Sequence, residues 1–541
     1  MIILFLNFRC KLYRMFVSMF MFTFIVGCSD NESSVSEQNP FPKEPELPFS
    51  RLLTNQKFYS SILGADVTYA VLLPEGYNVS KDDYPVVYLF HGFGDKENAW
   101  YANGSIQYYS DQYKGAIVPM IFVMPSANNS YYANRYNGRY PYMDMLTKDM
   151  VPEIDKLFRT KSNKKYRAAM GYSMGGYGAL ILPALNPNVF SVGVPLSMSF
   201  RTDAQYVAEP QNVFDIQWSP IFGGVGSSGQ SRLTDYYKQH SPFHFFGNQP
   251  AVNFTNLKLL IDCGDDEESL SITNDKLHTV LRDLNISHEY RVRTGGHSFT
   301  YWKQSYPEAL KFISDAFQDI LYSKEPDPAV IGTLITETNY DIQTIVGHNV
   351  NVLKNNEYAN ATTTSYPVIY VLHDKNEQPV SSKLSMLSLL NNAMNTLNIP
   401  KSIIVEIPFA DNLTTMNIKD IVTYVDTNYR TLQQKNKRAV VGNSKGGLKA
   451  AQFVNEESAY FNACFLFSAN LTNANVVPNA STFYYLDLAD DSEEYLGYHN
   501  MYLTIREQNI GYEYRVRQGK DPYQSFINGL SNSFSTLTSK L

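Results

Sequence analysis

The sequence predicts an α/β fold organised as two tandem domains, each with a mainly parallel central sheet, the second domain shorter and degenerate. Two observations carry this prediction. Short apolar runs rich in β-branched residues alternate with helical stretches, a pattern typical of parallel strands covered by helices on both faces. Four blocks of the chain also recur later in the same order, which indicates a duplicated unit. A length of 541 residues suits two or three domains.

The repeat is clearest where strands are predicted, as in YPVVYLFH and its later counterpart YPVIYVLH. The matched blocks are 57–92 with 339–374, 166–180 with 437–451, 259–270 with 484–496, and 288–302 with 512–526.

The N-terminal residues read as a targeting segment. A basic stretch precedes an apolar run at 15–26 that is too short to span a bilayer. The run ends in IVGC, which resembles a bacterial lipobox, so we expect 1–28 to be a lipoprotein signal peptide and Cys28 to be lipidated; an ordinary secretory signal is the alternative. The polar, Pro-rich residues 29–49 are expected to form a flexible tether.

The acidic tract within that tether is similar to the one that marks surface lipoproteins of Bacteroidetes. We therefore expect an outer membrane lipoprotein exposed on the cell surface, with a periplasm-facing orientation as the alternative. The folded domains are predicted at 50–324 and 331–541, because charge and two prolines interrupt the pattern at 322–330.

Composition excludes several classes of function. A net charge of −7 without a long basic run argues against nucleic acid as a partner. Cys263 and Cys464 lie in strand-like apolar runs and are expected to be buried, inert thiols. No His/Cys cluster has metal-ligand spacing and no loop has a phosphate-binding pattern, so we expect no metal and no cofactor. The chemistry has to come from side chains alone.

GYSMG at 171–175 has the G-x-S-x-G spacing of a nucleophile elbow. The strand-like YRAAM precedes it and the helix-like GALILPAL follows it, which is the context that this motif requires. Ser173 is therefore the predicted nucleophile. A serine hydroxyl also needs a base, a carboxylate that orients the base, and N–H donors for the oxyanion.

The base and the acid should follow the serine in chain order on loops after later strands. His297 lies in TGGHSF directly after EYRVR, and it is the predicted base. CGDDEES after KLLID offers Asp265, Asp266 and Glu267, which loop composition alone does not separate. HGFG at 91–94 follows a strand and has the form of an oxyanion loop.

The donors to the oxyanion would be the backbone N–H groups of Phe93 and Met174. Together, these motifs resemble the esterase D-type family of the α/β-hydrolase superfamily, which includes the feruloyl and acetylxylan esterases of carbohydrate esterase family 1. The resemblance covers residues 50–320 and implies an eight-stranded sheet and carboxylic-ester hydrolysis. Relatives carry an Asp three residues after the loop glycine, where this chain has Glu267; we expect Glu267 to be the acid, with Asp266 as the alternative.

The second copy keeps the motifs of the fold and loses the reacting groups. GNSKGG contains Ser444, but Asp521 stands at the place of the histidine and Ser492 at that of the carboxylate. The long segment between the elbow and the acid strand is also missing. Ser444 is therefore expected to be inert, with a Ser-Lys pair to Lys445 as the sharper alternative.

The Tyr-rich segment 128–144 follows the strand MIFVMP, so it should lie on the rim where α/β enzymes bind ligands. Residues predicted to contact sugar or phenolic groups are Trp100, Tyr101, Tyr131, Tyr132 and Arg135. By analogy with the family, the expected substrate is a plant cell-wall polysaccharide or oligosaccharide that carries feruloyl or acetyl groups.

Two other functions stay open. One is a different acyl-ester hydrolase or acyltransferase of the same superfamily, and the other is a non-catalytic, carbohydrate-binding surface lipoprotein. The membrane is expected as a partner only through the lipid anchor. The second domain is expected to be a glycan- or protein-binding module.

Overall fold

The strands within the described residues form two runs of eight that meet in one continuous sheet. The computed structural model describes residues 51–323, 340–345, 348–374, 386–409, 416–521 and 523–541. The predicted signal peptide, Cys28, the predicted tether and all but the first two residues of the predicted boundary between the domains lie outside the described residues.

The strands of the first run are β1 Leu52–Ser60, β2 Ala65–Leu72, β3 Val86–Phe90, β4 Ile121–Pro125, β5 Arg167–Tyr172, β6 Val192–Leu196, β7 Lys258–Gly264 and β8 Glu289–Arg293. The strands of the second run are β9 Tyr340–Ile345, β10 His348–Lys354, β11 Val368–Asp374, β12 Ile403–Phe409, β13 Arg438–Asn443, β14 Ala463–Phe467, β15 Phe483–Ala489 and β16 Tyr512–Arg517.

The two runs have the same strand order. The sheet reads β1-β2-β4-β3-β5-β6-β7-β8 and continues β16-β15-β14-β13-β11-β12-β10-β9. In the first run the six strands β3 to β8 are parallel to one another, while β1 and β2 are antiparallel to their neighbours. The second run repeats this pattern. The predicted α/β class is confirmed.

Helices cover both faces of the sheet. Those that precede β9 are α1 Ala99–Ala102, α2 Ile106–Gln112, α3 Tyr142–Asp144, α4 Val151–Leu157, α5 Met174–Leu185, α6 Asp203–Ala208, α7 Gln211–Val213, α8 Ser219–Phe222, α9 Asp235–His240, α10 Pro242–Phe245, α11 Glu268–Asp283 and α12 Phe299–Phe317. The later ones are α13 Met386–Asn395, α14 Ile418–Asn428, α15 Ser444–Glu456, α16 Tyr495–Glu507, α17 Tyr523–Asn532 and α18 Phe534–Lys540.

The composition of β3 explains why the sheet has to be covered twice. All five residues of VVYLF are buried. Successive side chains of a strand point to opposite faces, and accordingly Val86, Tyr88 and Phe90 belong to one core cluster. Val87 and Leu89 belong to another. Continuous apolar runs of this kind are stable only between two layers of helices.

The two runs are joined by β8 and β16, which pair in antiparallel fashion at Val292 and Val516. These two valines are equivalent in the repeat, so the joint has pseudo-two-fold symmetry. Next to the strands, α11 meets α16: the Tyr502 hydroxyl donates to Ser271 Oγ at 2.7 Å, and the carboxylate of Asp275 binds side chains of α16.

A cleft of about 1110 Å³ opens beside the joint. Side chains of β8 and β16, including Arg291 and Arg515, line it together with residues of α12, α17 and α18. None of the three predicted catalytic residues is among its lining residues.

Residues Arg51–Leu541 make up one compact unit, so the two runs are halves of a single body. The first half comprises residues 51–323, and the second half comprises the described residues from 340 onward. Cys263 and Cys464 are free and buried, as predicted. Among the described residues there is no helix whose length and apolarity would suffice to cross a membrane.

Candidate active site

Ser173 lies between the end of β5 and the start of α5, in a strained backbone conformation. Its φ is 57° and its ψ is −121°, a region that L residues rarely occupy and that an elbow imposes on its nucleophile. The glycines of the motif permit this turn: a Cβ on Gly175 would lie 2.2 Å from the carbonyl oxygen of Phe90. The elbow therefore fits only because small residues let α5 approach β3.

The predicted base and one of the predicted acids are in contact. His297 Nδ1 lies 2.7 Å from Glu267 Oε2. The side chain of His297 is 39% exposed and that of Glu267 is fully buried. Because the carboxylate can only accept, Nδ1 carries the proton, which leaves Nε2 of His297 as an acceptor. A base that takes a proton from a serine needs this tautomer.

The other two carboxyl groups of the loop point elsewhere. Asp266 is exposed, and its backbone N–H donates to the carbonyl of Gly295 at 3.1 Å. The buried carboxylate of Asp265 accepts the N–H of Gly295 and groups from the second half. Of the three candidates, Glu267 is the one that the structure brings to His297.

Ser197 and Trp302 belong to the site and were not predicted. The hydroxyl of Ser197, just after β6, donates to Glu267 Oε1, and the N–H of Gly264 donates to the same oxygen at 3.2 Å. Trp302 Nε1 in turn donates to Ser197 Oγ at 2.8 Å, and the ring of Trp302 lies 5.1 Å from that of His297, edge to face. The available signal was a serine directly after the equivalent strand in both copies, Ser197 and Ser468.

The predicted oxyanion loop is held by a neutral histidine. His91 Nδ1 donates to the carbonyl of Gly92 at 2.8 Å, and its Nε2 accepts the N–H of Ala127 at 3.0 Å. Burial lowers the pKa of His91, which is consistent with a ring that both donates and accepts. Phe93 stands in this loop with 40% of its surface exposed, and Met174 is the first residue of α5, where backbone N–H groups have no intrahelical partner.

The structure places three of the predicted substrate-binding residues in the core. Trp100, Tyr131 and Tyr132 are all fully buried, so their rings present no exposed face. Trp100 Nε1 donates to the carbonyl of Phe90 at 3.0 Å, which shows that its polar edge serves the packing of β3. Tyr101 and Arg135 are half-buried.

Tyr131 and Tyr132 support the elbow instead. The hydroxyl of Tyr132 donates to the carbonyl of His91 at 3.1 Å, and the Tyr132 ring fills the space beside Gly178. Tyr131 packs against Trp218, with ring centroids 4.9 Å apart. A tyrosine side chain combines a large apolar ring with a polar hydroxyl that needs a partner. In both tyrosines the ring and the hydroxyl lie inside the core.

The segment between β6 and β7 forms five short helices, α6 to α10, beside α5. Its aromatic side chains stack on one another and on the elbow helix; the members of this cluster are Tyr177, Phe200, Tyr206, Trp218, Phe222 and Tyr237. This segment therefore packs against the helix that begins at the predicted nucleophile.

In the equivalent loops of the second half, the polar side chains make different contacts. Ser444 keeps the positive φ, at 54°, but its hydroxyl donates to Asn470 Oδ1 at 3.3 Å. Lys445 Nζ lies 4.0 Å from a carboxylate oxygen of Asp374. Asp521 accepts the N–H of Ala489 at 2.8 Å. These contacts do not favour the Ser-Lys pair.

Residues 60–313 match a family model whose description is "Putative esterase", which confirms the resemblance to this family for that region. The candidate active site, from the oxyanion loop to His297, lies within the matched residues.

Curated relatives are similar to part of the chain. An endo-1,4-beta-xylanase/feruloyl esterase of Xylanibacter ruminicola is 32% identical over 142 residues, which are 25% of this chain and 20% of that protein. An acetyl esterase of Caldicellulosiruptor saccharolyticus is 23% identical over 278 residues, 48% of this chain and 95% of that protein. The chain thus spans about a fifth of the length of the first relative. Among solved structures, a ferulic acid esterase is similar, with 23% identity, a TM-score of 0.41, and coverage of 49% of this chain and 98% of that one.

Proposed function

We propose, from the esterase family that residues 60–313 match, that this protein hydrolyses carboxylic esters through an acyl-enzyme formed on Ser173. The observation that carries the proposal is the contact between Glu267 and His297, on loops that follow the elbow in chain order.

The steps follow from the roles of the three groups. His297 Nε2 takes the hydroxyl proton as Ser173 Oγ attacks the ester carbonyl, and the N–H groups of Phe93 and Met174 stabilise the oxyanion. The alcohol leaves with the proton from His297, and an acyl group stays on the serine. Water then attacks this ester with the same histidine as base, which releases the acid and restores Ser173.

The substrate class is proposed from the relatives. One relative carries feruloyl esterase in its name and another acetyl esterase. We therefore propose feruloyl or acetyl esters of plant cell-wall polysaccharide or oligosaccharide. Tyr101 and Arg135, which are half-buried, remain candidates for contact with the substrate.

A hydrolysis panel tests this function. The protein from residue 29 onward is assayed with methyl ferulate, acetylated xylan and p-nitrophenyl acetate. We expect turnover of at least one, and its loss in Ser173→Ala. Activity that survives in Ser173→Ala would refute the serine mechanism, and turnover of p-nitrophenyl acetate alone would refute the substrate class. Absence of turnover with retained binding to xylan would favour a carbohydrate-binding protein.

The location remains a proposal drawn from the N-terminal sequence: a lipid anchor on Cys28 that holds the protein at the outer membrane, facing the cell surface. Cys28→Ala should move the protein from the membrane fraction to the soluble fraction without changing its specific activity. Continued membrane association of that variant would contradict the anchor.

A further inference from the structure

The joint between the halves is built on two equivalent loops. Residues 265–268 follow β7 and residues 490–493 follow β15, and Asp265 stands at the place of Asp490 in the repeat. The first of these loops contains Glu267, so any role of the joint in catalysis rests on the proposed function of that residue.

The loop of the second half is held by the first half. Asp490 Oδ2 accepts the N–H of Tyr290 at 3.0 Å and a guanidinium N–H of Arg291 at 2.6 Å. Arg282, on α11, donates to the carbonyl oxygens of Asp490 and Ser492, the latter at 2.7 Å. This loop has Ser492 at the place that Glu267 occupies in the first half. These contacts therefore hold a loop that carries no proposed catalytic acid.

The loop of the first half is held in the same way by the second half. Asp265 Oδ2 accepts the N–H of Tyr514 at 3.1 Å and a guanidinium N–H of Arg515 at 2.6 Å. Arg506, on α16, donates to the carbonyl oxygen of Asp265 at 3.3 Å and to that of Glu268 at 2.6 Å. Groups of the second half thus bind the residues on both sides of Glu267.

The same carboxylate also reaches the histidine loop. Asp265 Oδ1 accepts the N–H of Gly295 at 3.0 Å, and Gly295 lies two residues before His297. Asp265 itself lies two residues before Glu267. Both members of the acid–base pair are therefore tied, within two residues, to one carboxylate that the second half holds.

We infer that Arg506 and Arg515 of the second half are positioning residues for the Glu267–His297 pair. Guanidinium groups make charge-assisted hydrogen bonds in a fixed fork geometry, so they fix the acid loop more firmly than neutral donors would. A displacement of about 1 Å in a reacting group can cost about a hundredfold in rate. The second half therefore serves catalysis by holding two loops of the first half.

The pseudo-symmetry supplies a matched control. Arg506→Gln and Arg282→Gln remove equivalent arginines from equivalent contacts of the same joint, but only the first contact leads to Glu267. With p-nitrophenyl acetate we expect Arg506→Gln to lower kcat about tenfold or more while KM changes little. Arg282→Gln should stay within about twofold of the parent protein. Arg506→Lys, which keeps a cationic donor, should recover part of the loss.

A double-mutant cycle separates positioning from a general loss of structure. If Arg506 acts through the carboxylate, Arg506→Gln should have little further effect on kcat in a Glu267→Gln background. Equal losses in Arg506→Gln and Arg282→Gln, or a full additional loss in the Glu267→Gln background, would overturn the inference. Activity that does not depend on Ser173 would instead refute the proposed function.

A second pair of variants tests the same inference if Arg506→Gln does not fold. Asp265→Asn and Asp490→Asn are nearly isosteric and weaken the equivalent contacts with Arg515 and Arg291. Thermal unfolding is measured for both, and kcat is compared at a temperature where both are folded. We expect only Asp265→Asn to lose activity; equal activity in the two variants would again overturn the inference.

Discussion

The elbows of the two halves share a positive φ at the serine and differ in the polar groups that follow it in the chain. Ser173 has a φ of 57° and Ser444 a φ of 54°. The next glycines are equally confined, because a Cβ on Gly446 would lie 2.5 Å from the carbonyl oxygen of Leu372, much as one on Gly175 would meet β3. Yet only the first elbow is followed by Glu267 and His297, because the equivalent places of the second half hold Ser492 and Asp521.

This difference teaches that a strained elbow is a requirement of packing as well as of chemistry. Strain is often a sign of function, but in the second half the turn persists because α15 has to approach β11 closely. Around Ser444 the polar groups satisfy one another: its hydroxyl bonds Asn470, and the hydroxyls of Ser468 and Ser492 bond the half-buried Asp521. Burial raises the pKa of Asp521.

The largest expected effect separates the two serines. Ser173→Ala should lower kcat by several powers of ten, because loss of a triad member leaves only the contribution of the oxyanion donors and binding. Ser444→Ala should leave kcat unchanged within about twofold. Steady-state kinetics on a p-nitrophenyl ester checks this, and comparable losses in both variants would break the comparison.

The next effect concerns the acid. Glu267→Gln should lower kcat by orders of magnitude, since the amide can hold the imidazole in the wrong tautomer. Asp266→Asn should cost less than about threefold, because the Asp266 side chain is exposed. If Asp266→Asn is the crippling change and Glu267→Gln is tolerated, the acid is one residue earlier than the structure indicates.

A third prediction concerns stability in the half without a complete triad. Gly446→Ala should lower the free energy of unfolding by about 1–3 kcal/mol, because the added methyl meets backbone atoms that cannot move aside. Lys445→Ala, one residue earlier, is the control and should change it by less than about 0.5 kcal/mol. Denaturant titration measures both, and a tolerated Gly446→Ala would mean that packing does not preserve the motif.

The smallest effect is a pH dependence that comes from His91. Its pKa is lowered by burial in the folded protein, whereas in the unfolded chain it is about 6.5. As the pH falls through that value, the unfolded state gains a proton that the folded state resists, so stability is lost. We expect the unfolding temperature of the parent protein to fall more between pH 7.5 and 5 than that of His91→Asn. Identical pH slopes would contradict this.

The equivalent histidine of the second half, His373, has a different partner from that of His91. His373 Nε2 lies 2.9 Å from a carboxylate oxygen of Glu406, whereas His91 Nε2 meets a backbone N–H. The same residue type thus has an acidic partner in one half and a neutral donor in the other.

The sequence indicated the candidate catalytic residues and their order along the chain. It did not indicate how the aromatic residues around them pack. The strand-elbow-helix context indicated Ser173, and chain order indicated His297. Glu267 was chosen from three carboxylates only through the resemblance to relatives, because the loop composition does not separate them. The burial of Trp100 and of Tyr131 was not predicted, because an aromatic residue after a strand reads the same whether its ring faces a ligand or a neighbouring helix.

The joint was also missed, and for a different reason. EYRVR occurs in both copies and marks a strand, but whether two edge strands pair depends on the shapes of the sheets that carry them. In the structure Asp265 and Asp490, which stand at equivalent places in the two copies, bind the opposite half, a role that only the assembled sheet reveals.

The pairing of β8 with β16 within one chain affects how the specific activity depends on protein concentration. Equivalent residues face one another across it, as Val292 faces Val516, which is the geometry of an isologous homodimer interface. Two separate subunits joined in this way would come apart at low concentration, and each would lose the contacts on its acid loop. Here one chain carries both partners, and covalent linkage gives them an effective concentration on the order of millimolar. The specific activity should therefore be the same at nanomolar protein as at micromolar protein.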